Sequence, residues 1–119
     1  MVQVTVSRQR VWKPWGYEDV WYHDAYTVKV IHVNAGHRLS LQLHERKIET
    51  MFVHVGHPTI RLGGETLRYG PGDIIHVEAE TIHRISAPDD EDVAIFEVST
   101  PHSEDIVRLE DDYGRLSED

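Results

Sequence analysis

Apolar side chains recur at every second position along almost the whole chain, and turn-forming residues break the pattern at short intervals. Alternation of this kind buries one face of a segment and exposes the other, which is the signature of a strand rather than a helix. Strands are predicted at 2–6, 17–22, 26–33, 38–44, 49–55, 59–62, 65–69, 73–77, 82–87 and 93–98. Asn34-Ala35-Gly36 and Gly70-Pro71-Gly72 are turn sequences, and Gly63-Gly64 reads as a two-residue hairpin loop. Asp89 to Asp92 is a run of four acids at a loop tip. Ten short strands without the spacing for crossover helices give an all-β sandwich or barrel, with a jelly roll the leading architecture. A single short helix is expected within 103–111.

A chain of 119 residues is one domain, here 1–119, and buries about two thirds of its unfolded surface without needing staples. It has no cysteine, so disulfides, thiolate metal sites and cysteine nucleophiles are excluded, and any metal must be held by His, Asp, Glu or an amide oxygen. Twenty-one acidic against twelve basic side chains give a net charge of -9, which argues against nucleic acid and anionic membrane surfaces as partners. No stretch approaches the roughly 20 apolar residues of a membrane-spanning helix, and the first ten residues lack the apolar core of a signal peptide. The expected location is the cytoplasm. Residues 99–119 hold seven of the acids and two arginines, and this acidic tail, 103–119, is read as a solvated terminus.

Two segments carry the chemistry. In the first, about 36–56, Gly36 is followed by Gln42, His44, Glu49 and Gly56 in the spacing G-x5-Q-x-H-x4-E-x6-G. Gln42 and His44 share a face of one strand, and a turn over 45–48 returns the chain so that Glu49 faces the same space. In the second, about 71–87, Pro71-Gly72-Asp73 leads after ten residues to His83. Two imidazoles, a carboxylate and an amide oxygen converging on one cavity suit one divalent transition metal with positions left open for water or substrate. Zinc is the leading ion; manganese, iron(II), cobalt and nickel fit the same donors.

These spacings resemble the two sequence motifs of the cupin superfamily, with Gln42 at a position where many members carry a histidine. KPWGYEDVWYH (13–23), VKVIHVNAGHRLSLQLH (28–44), DIIHVEAETIHRI (73–85) and EDIVRLEDDYGR (104–115) more narrowly resemble the cupin domain of type II mannose-6-phosphate isomerases. That domain often follows a GDP-mannose pyrophosphorylase domain, and this chain is similar to a free-standing version. The resemblance implies a single-domain cupin jelly roll and the metal ligands Gln42, His44, Glu49 and His83. It also makes Lys29, Arg38, Arg84 and Arg115 candidates for binding a sugar or its phosphate. Arg38 shares strand parity with Ser40, Gln42 and His44, so Arg38 and Ser40 are expected on the site face. This chain departs from the family pattern at 45–48, at Thr50-Met51, and at Glu78 and Glu80.

The implied reaction interconverts an aldose and a ketose, with mannose 6-phosphate and fructose 6-phosphate the leading pair. A metal there polarises the carbonyl, and a side chain moves the carbon-bound proton. Glu49, Glu78 and His76 are the candidate bases. Two other readings use the same donors: an iron(II) oxygenase, and a metal-containing sugar-binding or regulatory module without turnover. Small sandwiches of this kind leave sheet edges to cover, so a homodimer is expected, with strand 2–6 adding to the partner's sheet.

Overall fold

The computed structural model of the chain describes residues 8–102 and 104–116. Eleven strands form among them: β1 (Gln9–Lys13), β2 (Gly16–Tyr22), β3 (Thr27–Val33), β4 (Leu41–Leu43), β5 (Glu49–Val55), β6 (Thr59–Leu62), β7 (Glu65–Arg68), β8 (Ile74–Val77), β9 (His83–Ser86), β10 (Val93–Ser99) and β11 (Val107–Glu110). They make a six-stranded sheet, β1-β2-β3-β10-β5-β8, and a five-stranded sheet, β11-β4-β9-β6-β7, with neighbouring strands antiparallel throughout. The two sheets close over one core as a jelly roll.

Strand alternation decides what enters that core. On β5 the inward row is Glu49, Met51 and Val53, and on β10 it is Val93, Ile95, Glu97 and Ser99, all buried. Trp15, Ile31, Val33, Ile60, Ile75, Val77 and Ile85 complete the packing from both sheets. With few polar atoms to satisfy, this region is held by the burial of aliphatic side chains, worth about 1.5–3 kcal/mol for each large one. Gly56, which ends the first motif, has φ 85°, and a Cβ there would lie 2.5 Å from the carbonyl oxygen of Asp92. Only glycine fits that crossing.

Three expectations are corrected. The described part of the expected helix, 104–111, is not helical: Val107–Glu110 is a strand paired with β4, because its apolar residues dock on an existing sheet edge rather than on a helical face. The described part of the acidic tail is therefore an edge of the fold, not a solvated terminus. It is tied down by Asp112 on Arg38 (2.7 Å) and by Asp111 on Arg115 (2.8 Å). The predicted strand 38–44 contracts to Leu41–Leu43, preceded by an isolated bridge from Arg38 to Ser86. Strand β1 escaped the sequence reading, and the predicted strand 2–6, with its role in a dimer, lies outside the described residues. No helix among the described residues is long and apolar enough to cross a membrane.

Candidate metal centre

His44 lies just beyond β4, Glu49 opens β5 and His83 opens β9, so three strand ends from both sheets meet at one point. The pairing of Gln42 with His83 fixes the register between β4 and β9. A backbone bond from the Glu80 amide to the His44 carbonyl (2.6 Å) ties the two motifs together. All three side chains are nearly inaccessible, at 4 %, 2 % and 2 % for His44, Glu49 and His83.

The ring orientations are set from behind. His44 Nδ1 donates to the Asp105 carbonyl oxygen (2.6 Å) and His83 Nδ1 to that of Thr81 (2.8 Å). A neutral imidazole that spends its only N–H this way presents Nε2 as a bare acceptor. Those two Nε2 atoms face Glu49 Oε1 at 3.4 and 2.9 Å, and the three donor atoms lie within 4.8 Å of one another. Three converging acceptors call for a cation between them. A tetrahedral shell with bonds of about 2.1 Å has edges of about 3.4 Å, so the spacing suits a metal ion. The donor set fits.

Gln42 stands beside the triad. Its Nε2 is 3.5 Å from His44 Nε2, while its Oε1 accepts from the Ser40 hydroxyl (2.7 Å). A half-turn of the amide would carry Oε1 to the triad and let Nε2 donate to Ser40 Oγ, so either orientation keeps the hydroxyl satisfied. Ser40 thus lines the cavity with its hydroxyl committed to Gln42.

Behind Glu49 is a buried charge cluster that sequence reasoning missed. Lys47 Nζ sits 3.4 Å from Glu49 Oε2 and 3.6 Å from Glu97 Oε2. Burial draws the lysine pKa down, but the Glu97 and Glu49 carboxylates outweigh it and hold the pKa above its ordinary value. Burial, then the neighbouring Glu49 charge, pushes Glu97 well above the carboxylate range. Burial would raise Glu49 too, yet the hydrogen bond with Glu97, the close approach of His44 and His83, and the Lys47 charge keep it well below. Of the two carboxyls, Glu49 gives up its proton more readily than Glu97. Lys47 is aimed inward by Asp105, whose carboxylate accepts from the amides of Glu45, Arg46 and Lys47 (2.7–2.9 Å).

The triad opens into a cavity also lined by Lys13, Lys29, Lys47, Arg84, Arg108 and Arg115, against the carboxylates Glu18, Glu49 and Glu97. Of the sequence candidates, Lys29, Ser40, Arg84 and Arg115 reach this cavity. Lys29 is paired with Glu18 (3.5 Å), and Arg84 donates to the Leu39 carbonyl (2.9 Å). Arg38 does not line the cavity. The chain leaves strand geometry at 39–40, parity fails, and the Arg38 guanidinium forks onto Asp112 at the surface (2.7 and 2.9 Å). His76 and Glu78 do not line it either: they bond each other at 3.0 Å with side chains 50 % and 68 % exposed. On β8 the buried residues are Ile75 and Val77, which turns His76 to the outer face.

Two sheets closing over a His2Glu donor set able to hold a metal ion make a cupin-type jelly roll, and known structures share the fold. The chain superposes on KdgF from Halomonas sp. with TM-score 0.71 at 21% identity, covering 82% of this chain and 87% of that one. It superposes on oxalate decarboxylase with TM-score 0.75 at 16% identity, over 85% of this chain and 30% of that one. A cupin-2 domain from Rhodospirillum rubrum gives 0.71 at 13% identity, over 83% and 75%. The particular family follows from the sequence match over residues 2–111: the chain belongs to the mannose-6-phosphate isomerase C-terminal family. Alginate biosynthesis protein AlgA of Pseudomonas aeruginosa is 32% identical over 118 residues, covering 96% of this chain and 24% of AlgA. Mannose-1-phosphate guanylyltransferase ManC of Salmonella typhimurium is 31% identical over 112 residues, covering 91% and 23%. The chain spans about a quarter of the length of these relatives.

Proposed function

We propose that the domain is a metal-dependent aldose–ketose isomerase acting on a phosphorylated sugar, with mannose 6-phosphate and fructose 6-phosphate the leading pair. The observation that carries this reading is the combination of the His44–Glu49–His83 donor set with a cavity whose lining cations outnumber its carboxylates six to three, in a chain of net charge -9. Against an acidic average, local positive charge at a metal-ligand cluster selects a small anion. Membership of a family described by mannose-6-phosphate isomerase supports a phosphorylated sugar as that anion.

His44, Glu49 and His83, with Gln42 as a fourth donor, would hold the ion, and zinc leads the candidates. Such an ion would supply a Lewis acid for the sugar's carbonyl group. Everything else falls to the chain. Asp105 and Thr81 hold the two imidazoles in the ligand tautomer through their carbonyls. Lys47 holds Glu49 Oε2, leaving Oε1 to face the histidines. The walls, closed by Trp15, Leu39, Ile31 and Ile85, limit water around the reacting carbons. The carbon-bound proton must pass to a group that reaches this cavity, which favours Glu18 or Glu49 over His76 and Glu78.

The test is turnover of mannose 6-phosphate by protein stripped of metal and then resupplied with single divalent ions, beside a His44→Ala, His83→Ala variant. Turnover that requires an ion and vanishes in the variant is expected. Folded, metal-loaded protein that converts no phosphorylated aldose overturns the reading. In that case oxygen uptake dependent on iron(II) would identify an oxygenase, and thermal stabilisation by sugar phosphate without product a binding module.

A further inference from the structure

We propose that Lys13, Lys29, Arg108 and Arg115 form a single subsite for the phosphate group of the ligand, separate from the metal donors. The inference rests on the reading that this cavity takes an anionic sugar, and it says where the anion sits. The four residues come from distant parts of the chain: the end of β1, the middle of β3, β11 and the turn that follows β11. All four line the same cavity. Nothing in the folding of a small sandwich requires four cations to be gathered there.

Their arrangement runs away from the metal donors. Arg108 is the cross-strand partner of Gln42, so its side chain starts beside the amide donor. Lys29 lies on the facing sheet, where Glu18 pairs with it at 3.5 Å. Arg115 is gripped by Asp111 through two contacts, from Nε (3.0 Å) and Nη2 (2.8 Å). That grip orients the guanidinium without removing its remaining donors. Lys13 forms no ion pair among the described residues. Its pKa is drawn down by burial; Glu18 opposes this, while Lys29, Arg115 and Arg108 add to it, as expected of cations lining one cavity with Lys13. Like charges gathered in a partly desolvated pocket repel, and an incoming anion turns that repulsion into attraction. A phosphate monoester, with a charge near -2 at neutral pH and three acceptor oxygens, can engage several such donors at once.

Calorimetric titration of the metal-loaded protein with mannose 6-phosphate, inorganic phosphate and unphosphorylated mannose tests the assignment. Lys13→Met and Arg115→Gln are the variants, checked for unchanged thermal unfolding and metal stoichiometry. Lys13 is in an edge strand and forms no ion pair among the described residues, so the first variant is expected to fold. Each variant should weaken mannose 6-phosphate and inorganic phosphate about tenfold or more and leave mannose and metal binding unchanged. Affinities for both phosphates within twofold of the parent in the two variants would overturn the subsite, even if isomerisation were observed. Phosphate affinity that falls in the variants of a protein without isomerase activity would uphold the subsite and remove only the reaction.

Discussion

The two ends of the barrel interior are built from the same strands and have opposite chemistry. Along β3 the inward row runs Lys29, Ile31, Val33; along β5, Glu49, Met51, Val53; along β10, Glu97, Ile95, Val93. Antiparallel pairing brings the charged ends together, with Glu97 opposite Lys29 and Ser99 opposite Glu49. One step of two residues, about 7 Å, separates a dry aliphatic core from an ion-lined cavity. The apolar end gives the strands one fixed register, and that register holds the charges where they must converge. The charged end is stable only as a set, since each buried ion depends on its neighbours.

The largest test of this contrast is Lys47→Met. It leaves Glu49 and Glu97 without their shared cation, and removing one partner of a buried ionic group costs about 3–5 kcal/mol. Urea unfolding should show this loss, and a Lys47→Met, Glu97→Leu double variant should recover part of it. A loss below about 1 kcal/mol would show that the cluster is not electrostatically interdependent.

Asp105 is next, because it shapes the loop that delivers Lys47. Burial raises its pKa, but the amides of Arg46, Glu45 and Lys47 outweigh that and lower it from 3.8 to about 2. A depressed carboxyl stabilises the fold fully above its unfolded pKa, and the contribution is lost as pH falls from about 4 towards 2. Asp105→Asn should cost about 2 kcal/mol at neutral pH, and its stability should fall less steeply than the parent's across that acid window. Parallel acid limbs would contradict this. Ile95→Val, at the apolar end, should cost about 1 kcal/mol with metal affinity unchanged. A change in metal affinity would mean the two ends are coupled. The smallest effect belongs to Glu80, the one described non-glycine residue at positive φ, 66°. Glu80→Gly relieves that conformation and should stabilise by about 0.5 kcal/mol in thermal unfolding.

The sequence announced the apolar end and the metal donors more clearly than the rest of the charged end. Period-two alternation marked nearly every strand, and the spacing from Gln42 to Glu49 placed the donors on facing strand ends. Glu97 was hidden because β10 reads VAIFEVS, where the outward row Ala94, Phe96 and Val98 is as apolar as the inward one, so pattern alone gave no face. Lys47 was legible in principle: it stands two residues before Glu49, the interval that repeats a strand face. Nothing local reveals that Asp105, fifty-eight residues away, turns the loop inward. Arg38 failed for the opposite reason, since parity was extended through residues that do not continue the strand. The acidic tail was misread because charge composition does not show that Val107 and Leu109 alternate with residues that face the cavity side of an edge strand. Lys13 and Arg108 lie in segments that carry the family resemblance, but nothing local marks either for an anion, and only the closing of the two sheets brings them together.

The most direct measurement of the central claim is metal content and affinity. Protein stripped of metal and titrated with zinc, alongside His44→Ala, Glu49→Gln and His83→Ala variants, should bind one ion per chain, with affinity falling at least a hundredfold in each variant. Binding that survives all three substitutions unchanged, or no stoichiometric binding by the parent, would contradict the account.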